Sequence, residues 1–600
     1  MIHRSLPPAL VLCLLSLGVG QDTAHREAMV YEQHSNQWFE GAWMRAAFSA
    51  DGDWILLTNY FGDGARLLSA KTNQENQQRL SAGLDFPGRA AVFCGKGELA
   101  LLGKRGAEQG WFLPRGDGLE LSPVPLDAEL VCSSDGKGIA YYRPWQPNTG
   151  LFVGSAGKFE NYRLEGKITG AVFSPDSKVL YALVFQLDGA TSLIRITLRK
   201  PGTETIASGL DAAPMANHIA ISPDGRSMFL ALASDAAPDN AIRHKPDAQR
   251  WLKIYQLDFA SGTRRLVVHS ADQDNFDPAI VASSLYWSRN VIQGSVVLLP
   301  VGGGETRELV ADGEVPIWSP DGRRISYVVG GWRLADWALN YDAAVVDVDA
   351  RGQKASSPRI IVSGYHEDFP AAWSPNERWI AFHSHRSKAA VPAYDSPGST
   401  DDVYLRLADD LHAPEIRLTD FGWETGPPFW SPDGRKLIFS SWVKGGQPEI
   451  CKVWVITLDP ESGRALHIDK LPLPPYIRSA QWTAWSPDGK EIAIEDDRGD
   501  GNRSLWIADA SGAHAEKLLD YKGSSYGGLD WTPDGKMIIY AGLVNDRMQL
   551  FRVSRQGGSP NQLSHDVGNL MHPRVSPDGR WIACTRLIQS HQVWQRSLGE

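Results

Sequence analysis

Two groups of residues in this chain have the types and spacing that chemistry requires. The first is Gly523–Gly528, which fits the G-x-S-x-G pattern found around a serine nucleophile. That pattern activates a serine only where a strand turns into a helix, because the strained turn exposes the hydroxyl. Here Leu529–Trp531 begins an apolar strand that leads into another turn, so no helix can start. The sequence therefore predicts no nucleophile at Ser525.

The second group is a set of polar side chains in loops that precede apolar strands. His383 and His385 end one such strand, and because they are two residues apart they share one of its faces. Loops that feed a central cavity are the default place for a binding site. The candidate ligand-binding residues predicted in this way are His366, Glu367, Asp368, His383, His385, Arg386, Trp423, Glu424, Arg478, Tyr526 and His572.

Imidazoles and carboxylates in such a group could bind a transition metal. No tight ligand spacing such as H-E-x-x-H is present, however, and Asp496–Asn502 lacks the alternating order of an EF-hand loop. The prediction is therefore that the protein has no cofactor, with a divalent metal as the less favoured alternative.

A repeated turn positions these loops. Ser-Pro-Asp-Gly stands between apolar runs in five copies, and proline and glycine suit its second and fourth positions. Variants of the motif occur in five further places. Clean copies begin at Ser222, Ser319, Ser431, Ser486 and Ser576, and variants begin at Ser49, Ser133, Ser174, Ser374 and Thr532. With two degenerate units, at 91–102 and 277–301, the count is twelve units.

Each unit contains four short apolar runs, which is typical of one blade of a β-propeller. Twelve blades around one axis would leave a wide, poorly filled centre. The sequence therefore predicts an all-β chain of two tandem β-propellers with six blades each, with seven plus five as the alternative. The expected division is a signal peptide at 1–20, an N-terminal propeller at 21–302 and a C-terminal propeller at 303–600.

Ring closure can be predicted from the ends of the two halves. The last unit stops after a third strand at 591–596, and 306–310 could supply its fourth strand. Likewise 29–32 could complete the sixth unit. Closure removes the exposed sheet edges that promote aggregation.

Tryptophan precedes the turn in most units of the second half, as at Trp318, Trp430 and Trp531, which predicts packing between blades. Four cysteines remain after the apolar start. Cys94 and Cys132 lie in neighbouring units and could pair, but buried free thiols are the favoured interpretation for all four.

The chain begins as an exported protein does. His3 and Arg4 precede an apolar stretch at 8–17 that is too short to span a bilayer, and small residues allow cleavage before Gln21. We expect a periplasmic or secreted protein with no integral membrane segment after cleavage. The formal net charge of −10, without a basic run, argues against nucleic acid as a partner.

Phe429–Ile438 and Ala484–Ala493, each an aromatic residue, Ser-Pro-Asp-Gly, a basic residue and an apolar strand, resemble the TolB-type, WD40-like β-propeller repeat (PD40). The resemblance covers nearly the whole mature chain. It implies an exported bacterial propeller without implying a particular chemistry, because one fold carries many functions.

Two functions are compatible with these patterns. The first is a non-catalytic protein that binds a protein, peptide or glycan through the loops on its ring faces. The alternative is a carbohydrate-active enzyme, a uronate polysaccharide lyase or a glycoside hydrolase, that uses the His/Glu/Arg group of the C-terminal propeller. Oligogalacturonate lyase, which shares the resemblance, is the precedent for the alternative.

Overall fold

The structure is a computed structural model, and it contains almost only β-strands. Among the described residues there are 46 strands and a single short helix, α1 (Gln77–Ser81), and the strands form eleven antiparallel sheets. The prediction of an all-β fold with repeated four-stranded sheets is confirmed. The structure describes residues 27–598 except 35–43, 60–64, 82–83, 96, 117, 145, 147, 156–157, 187–188, 199–201, 214–217, 238–249, 272, 331–340, 364–367, 370–371, 388–398, 411, 421–423, 443–450, 500, 525 and 546.

Five sheets come from the first half of the chain, each with its strands in sequence order. We call them the first set. They are β2 (Met44–Phe48), β3 (Trp54–Asn59) and β4 (Ala65–Ser69); β5 (Asp85–Cys94), β6 (Glu98–Arg105), β7 (Glu108–Arg115) and β8 (Gly118–Leu121); β9 (Glu129–Cys132), β10 (Ile139–Tyr142), β11 (Leu151–Ser155) and β12 (Lys158–Tyr162); β13 (Lys167–Phe173), β14 (Val179–Phe185), β15 (Thr191–Thr197) and β16 (Glu204–Leu210); β17 (Ala220–Ile221), β18 (Ser227–Leu232), β19 (Lys253–Asp258) and β20 (Arg264–Val268).

Five further sheets come from the second half, and we call them the second set. They are β24 (Glu314–Trp318), β25 (Arg324–Val329), β26 (Asp342–Asp347) and β27 (Arg359–Val362); β28 (Ala372–Trp373), β29 (Trp379–Ser387), β30 (Ser399–Leu407) and β31 (Ile416–Arg417); β32 (Glu424–Thr425), β33 (Phe429–Trp430), β34 (Lys436–Trp442), β35 (Cys451–Leu458) and β36 (Ala465–Lys470); β37 (Ala480–Trp485), β38 (Glu491–Gly499), β39 (Asn502–Asp509) and β40 (Ala515–Lys522); β41 (Leu529–Trp531), β42 (Met537–Val544), β43 (Arg547–Ser554) and β44 (Asn561–Gln562).

The eleventh sheet joins the two sets. Its centre is a pair of 17-residue strands, β22 (Ser284–Pro300) and β46 (Trp581–Ser597), which pair along their whole length. β21 (Asp274–Val281) pairs with the first half of β22, and β1 (Ala28–His34) pairs with the second half of β46. At the other end of the ladder, β23 (Arg307–Ala311) pairs with the second half of β22, and β45 (Asn569–Val575) pairs with the first half of β46.

This sheet corrects one detail of the predicted closure. The segments near 29–32 and 306–310 do become fourth strands, as β1 and β23. The third strands, however, are exchanged: 591–596 pairs with 285–290 of β22, and the second half of β22 pairs with 581–588. The reason is that β22 and β46 both continue without a break, so the two halves of each strand lie in different four-stranded units. Gly302–Gly304 lies in the turn between β22 and β23.

The inner strands of the second set and β45 of the eleventh sheet contact one another in a cycle. β24, β28, β33, β37, β41 and β45 follow one another in contact, and β45 contacts β24. We call the space that they enclose the second channel. Its loop side is the end where these strands begin, and its turn side is the end with the Ser-Pro-Asp-Gly turns.

The repeated motif links neighbouring sheets on the turn side. Its serine Oγ donates to its aspartate, as Ser486 does to Asp488 at 2.7 Å, which lowers the pKa of that carboxyl. Its glycine has φ of +71° at Gly489, where a Cβ atom would lie 3.6 Å from Cδ of Pro432 in the preceding turn. The same contact recurs in four other pairs, Gly322 with Pro577, Gly434 with Pro375, Gly535 with Pro487 and Gly579 with Pro533.

Where the motif departs from glycine, other contacts replace this one. Glu377 takes the fourth position with φ of 56°, and its carboxylate accepts from Arg324 of the neighbouring sheet at 2.6 Å. Ser177 takes the same position with φ of 58°. Both residues therefore adopt a left-handed conformation that costs a non-glycine residue about 1–2 kcal/mol.

The tryptophans before the turns link the same sheets by hydrogen bonds. Nε1 of Trp318 donates to the carbonyl of Arg574, Nε1 of Trp430 to Ala372 and Nε1 of Trp531 to Ala484, at 3.1, 2.9 and 3.1 Å. Each acceptor lies in the preceding inner strand of the cycle. The predicted packing between sheets is confirmed at these three positions.

A disulfide joins two sheets of the first set. Cys94 at the end of β5 and Cys132 at the end of β9 are bonded, with their Cα atoms 5.0 Å apart. The favoured prediction of free thiols is therefore wrong for this pair, because the two inner strands place both cysteines at adjacent strand ends. Cys451 and Cys584 are buried and free, as expected.

Removal of this disulfide is expected to destabilise the protein. The bond closes a loop with a sequence separation of 38 residues, for which a cost of roughly 2–4 kcal/mol is typical. The double variant Cys94→Ser/Cys132→Ser should unfold at lower urea concentration than the wild type. Dithiothreitol should lower the wild-type midpoint and leave the variant unchanged; an equal effect on both would contradict the assignment.

The glycine at the fourth motif position can be tested in both directions. Gly489→Ala forces a side chain into φ of +71° and should cost about 1–2 kcal/mol. Ser177→Gly relieves the same strain and should gain up to about 1 kcal/mol after the entropy of glycine is subtracted. Glu377→Gly is the control, since it relieves strain but loses the Arg324 ion pair, and should show no such gain. Urea unfolding midpoints measure all three.

Candidate functional site

The second channel is crossed by an arginine on its turn side. Arg574 of β45 places its guanidinium carbon 4.1 Å from the ring centre of Phe429 in β33, three inner strands away around the cycle. Both residues stand two positions before the serine of their motif. Ile317, Ala372, Ala484 and Asp530 have the same position in the other inner strands. The arginine and the phenylalanine therefore meet at this level of the channel.

Arg574 is only 6% exposed, and two of its donor groups lack an acceptor. Nη1 donates to the carbonyl of Leu529 at 2.7 Å, whereas Nε and Nη2 are buried and meet no hydrogen-bond acceptor. Burial lowers the pKa of Arg574, and the carboxylate of Asp530 opposes that shift. Asp530 itself accepts from the backbone N–H groups of Trp531 and Val575, and burial raises its pKa.

A second layer of side chains lies on the loop side of Arg574. The rings of Trp482 in β37 and His572 in β45 are 5.1 Å apart, although β41 separates their strands in the cycle. His572 Nδ1 is 3.1 Å from Thr585 Oγ1. Burial, with the nearby Arg574 charge, lowers the pKa of His572 to about 3, so this imidazole is neutral at physiological pH.

Backbone strain places His572 in this layer. The residue has φ of 54° in a β-bulge, immediately before Pro573. Its N–H donates to the carbonyl of Gly527 at 2.7 Å, which ties the strand to the loop that carries Tyr526. The structure thus brings together two of the predicted residues, Tyr526 and His572, and Tyr526 is partly exposed there.

A buried carboxyl group lies beneath the Tyr526 loop. Glu495 of β38 is fully buried, and Tyr521 donates to its Oε2 at 2.6 Å. A Cβ atom at Gly527 would lie 3.1 Å from the same oxygen, so glycine is needed for this close approach. Burial raises the pKa of Glu495 to about 7, against the opposing effects of Arg503, Tyr521 and the N–H of Gly528.

Two other predicted residues lie together in a different sheet. Asp368 forms a backbone bridge with Ser384, and the carbonyl of His383 accepts from the N–H of Phe369 at 3.0 Å. The His383 ring is buried and stacks on Phe369 at 4.1 Å. His383 therefore packs within its sheet. It is separate from the Tyr526 loop, which precedes β41.

The remaining predicted residues are placed in part. Arg478 is exposed, and its N–H donates to Asp496 at 2.9 Å. Glu424 lies in β32, and His385 and Arg386 lie in β29, where they pair with 401 and 400 of β30; their side chains are outside the described part of the chain. His366, Glu367 and Trp423 lie outside the described residues. Within the described residues, no group of three or more His, Cys, Asp or Glu side chains could bind a metal.

The sequence prediction missed Arg574, Phe429, Asp530 and Trp482. A signal for Asp530 and Arg574 was present. The position two residues before the motif serine is apolar in most units of the second half, and Asp530 and Arg574 are charged exceptions. A charge at a position that otherwise lines an apolar interior indicates a functional site or a structural ion pair.

A polar group also lies between β2 of the first set and β21 of the eleventh sheet. Arg45 of β2 donates from Nε to Asp277 of β21 at 3.3 Å, and the N–H of His218 donates to the same carboxylate at 2.8 Å. Asp277, like His572, precedes a proline in a β-bulge and has positive φ, 48°. In this group the buried charges of Arg45 and Asp277 are paired with each other.

Comparison with known proteins gives short or distant matches. No protein-family model matches the chain. An uncharacterized protein of Agrobacterium fabrum, Atu1656, is 31% identical over 97 residues, which are 16% of this chain and 32% of that protein. The uncharacterized peptidase YuxL of Bacillus subtilis is 28% identical over 155 residues, 26% of this chain and 20% of that protein. The chain thus spans about a third and a fifth of the length of these curated relatives.

Solved structures that are similar to the chain include β-propellers. A putative TolB from Agrobacterium tumefaciens matches 50% of this chain and 99% of its own, with 18% identity and a TM-score of 0.35. Oligogalacturonate lyase in complex with manganese matches 69% of this chain and 96% of its own, with 12% identity and a TM-score of 0.34.

The buried carboxyl of Glu495 predicts a pH effect on stability. Its neutral form is favoured in the folded protein, so its contribution is complete below about pH 4.5 and is lost as pH rises through about 7. Between pH 5 and 8 the wild type should lose about 3 kcal/mol relative to Glu495→Gln, which stays neutral. Urea unfolding at both pH values measures this difference. Glu461→Gln, at a side chain 78% exposed, should follow the wild type, and identical pH profiles for all three proteins would refute the assignment.

Proposed function

We propose that this chain is an exported, TolB-like protein of two six-bladed β-propellers that binds a protein, peptide or glycan at the loop-side mouth of its second channel. The first propeller comprises the first set of sheets with β21, the first half of β22, the second half of β46 and β1. The second comprises the second set with β45, the first half of β46, the second half of β22 and β23. Apart from these exchanged halves of β22 and β46, the division in sequence is 21–302 and 303–600.

The closed cycle of inner strands supports six blades for the second ring, because six inner strands contact one another in order. In the first set, β2, β5, β9 and β13 contact in order, and β17 and β2 both contact β21. This pattern supports the same number there.

The disulfide supports export, because such bonds form and persist outside the reducing cytosol. The apolar start of the chain, expected to be a signal peptide, agrees with a periplasmic or secreted location. In the described part of the chain, no helix has the length and apolar character needed to cross a bilayer.

The observation that carries the binding proposal is the aromatic layer at the mouth. Trp482 and His572 meet across the channel from strands that are not neighbours, and Tyr526 stands in the loop bonded to His572. Aromatic side chains supply contact area at little cost in entropy, which makes them effective in peptide and glycan sites. Their support is rigid, because the loop is tied to the strained inner strand.

The proposal is tested by binding of the mature protein to peptide and glycan arrays. We expect specific ligands for the wild type, and at least a tenfold loss of affinity for Tyr526→Ala and Trp482→Ala, because both remove contact area at the mouth. Tyr476→Ala is the matched control, since Tyr476 is an exposed aromatic residue that precedes β37 and donates to Ala515. Array ligands that bind all three variants equally, or the lack of any ligand, would contradict this function.

A further inference from the structure

We propose that Arg574 is a receptor for a single carboxylate group, so that the ligand of the second channel carries a free carboxylate. The inference rests on the proposed function, since it names the chemistry that would be recognised below the aromatic layer. It starts from the two unpartnered N–H groups of a buried guanidinium.

The free groups of Arg574 form one edge of the guanidinium. Nη1 is occupied by the carbonyl of Leu529, whereas Nε and Nη2 lack an acceptor in a side chain that is 6% exposed. Nε–H and the adjacent Nη2–H are parallel donors that match the two oxygens of a carboxylate. Buried donors of this kind are rarely left unmet in folded proteins, and those that remain need an explanation such as a ligand.

The surroundings of Arg574 fix the orientation of this edge. Phe429 stacks against the guanidinium at 4.1 Å, and the Leu529 carbonyl binds its opposite side. Stacking and a single backbone bond leave the planar group few rotamers, so little entropy is lost when an anion binds.

The charge balance favours a single carboxylate over a phosphate. Asp530 stands beside Arg574 and interacts with its charge, and both of its oxygens already accept backbone N–H groups. The arginine and this aspartate together carry little net charge, so a dianion would be repelled by Asp530 more strongly than a monoanion. Glu495 lies under the neighbouring loop and adds no positive charge.

The aromatic layer lies on the path from the loop side to Arg574. His572 precedes Arg574 by two residues in the same strand, and Trp482 faces it from β37. A slender group, such as the end of a chain or a small acid, is therefore the form of carboxylate that fits this approach. Both sources share the chemistry, and the experiment separates them.

The test is calorimetric titration of the mature protein with four probes: acetate, the tripeptide Ala-Ala-Ala, the same peptide with an amidated C terminus, and inorganic phosphate. We expect saturable binding of at least one free-carboxylate probe and no binding of the amide or of phosphate. Binding of acetate indicates a small acid, and binding of the free peptide alone indicates a chain end. No binding of either free carboxylate overturns the inference.

Variants separate recognition from folding. Arg574→Lys keeps the charge but loses the parallel edge, and should weaken carboxylate binding at least tenfold. Arg359→Lys is the control, because it is the same substitution at an exposed arginine that pairs with Asp347. Unchanged binding by Arg574→Lys overturns the inference. If Arg574→Lys does not fold, Asp530→Asn provides the test, because without the Asp530 charge the protein should bind phosphate, which the wild type rejects. If Asp530→Asn also rejects phosphate, the inference is overturned.

These results can be distinguished from failure of the proposed function. An array ligand that needs Trp482 and Tyr526 but binds Arg574→Lys with wild-type affinity would keep the function and refute the carboxylate site. Carboxylate binding that needs Arg574, together with no ligand found on the arrays, would keep the carboxylate site and refute the proposed function.

Discussion

The long ladder between β22 and β46 is the constraint on which the rest of the structure depends. Its 17 residue pairs run from Ser284 with Ser597 to Pro300 with Trp581, a length of about 58 Å at 3.4 Å per residue. One end of the ladder pairs with β21 and β1, and the other with β45 and β23. A single core cluster accordingly extends from Ala213 in the first half of the chain to Leu587 in the second. Neither half can complete its last sheet without a strand from the other.

The ladder also determines how the chain can fold. β46 is the last strand, and β1 pairs with it from the opposite end of the sequence. Non-local pairing of this kind closes a very long loop before it gains any contact energy, which slows folding. The locally paired hairpins of the repeats have no such cost. The regular turns therefore pair strands at little cost in loop closure, whereas the sheet that joins the two halves requires the C-terminal strand β46.

Much of the fold could be predicted because the repeated turn is a local signal. Ser486, Asp488 and Gly489 satisfy one another within a few residues, so their pattern is visible in sequence. The exchange of β22 and β46 is invisible in that pattern, since both partners in the ladder are apolar strands of the ordinary type. The disulfide is hard to predict for the same reason: the separation of Cys94 and Cys132 in sequence does not show that β5 and β9 place their ends side by side.

The candidate site was harder to predict, because its residues come from several inner strands. His572 and Tyr526 were found from their loops, but Arg574 acts with Phe429, which lies three inner strands away in the cycle. Only the alignment of all units at one motif position makes that pair visible. His383 shows the opposite case, since a histidine two residues from another on a strand packs on Phe369 within its own sheet.

The two halves use one backbone device for different chemistry. Asp277 and His572 both precede a proline, both lie in a β-bulge and both have φ near 50°. In the first half this position carries a carboxylate that is satisfied by Arg45 and His218. In the second half it carries a neutral imidazole, and the charge two residues later, on Arg574, keeps two donors unmet. An unmet buried donor gains more from a ligand than a group that already has a partner, which is why the proposed site is placed at Arg574 and not at Asp277.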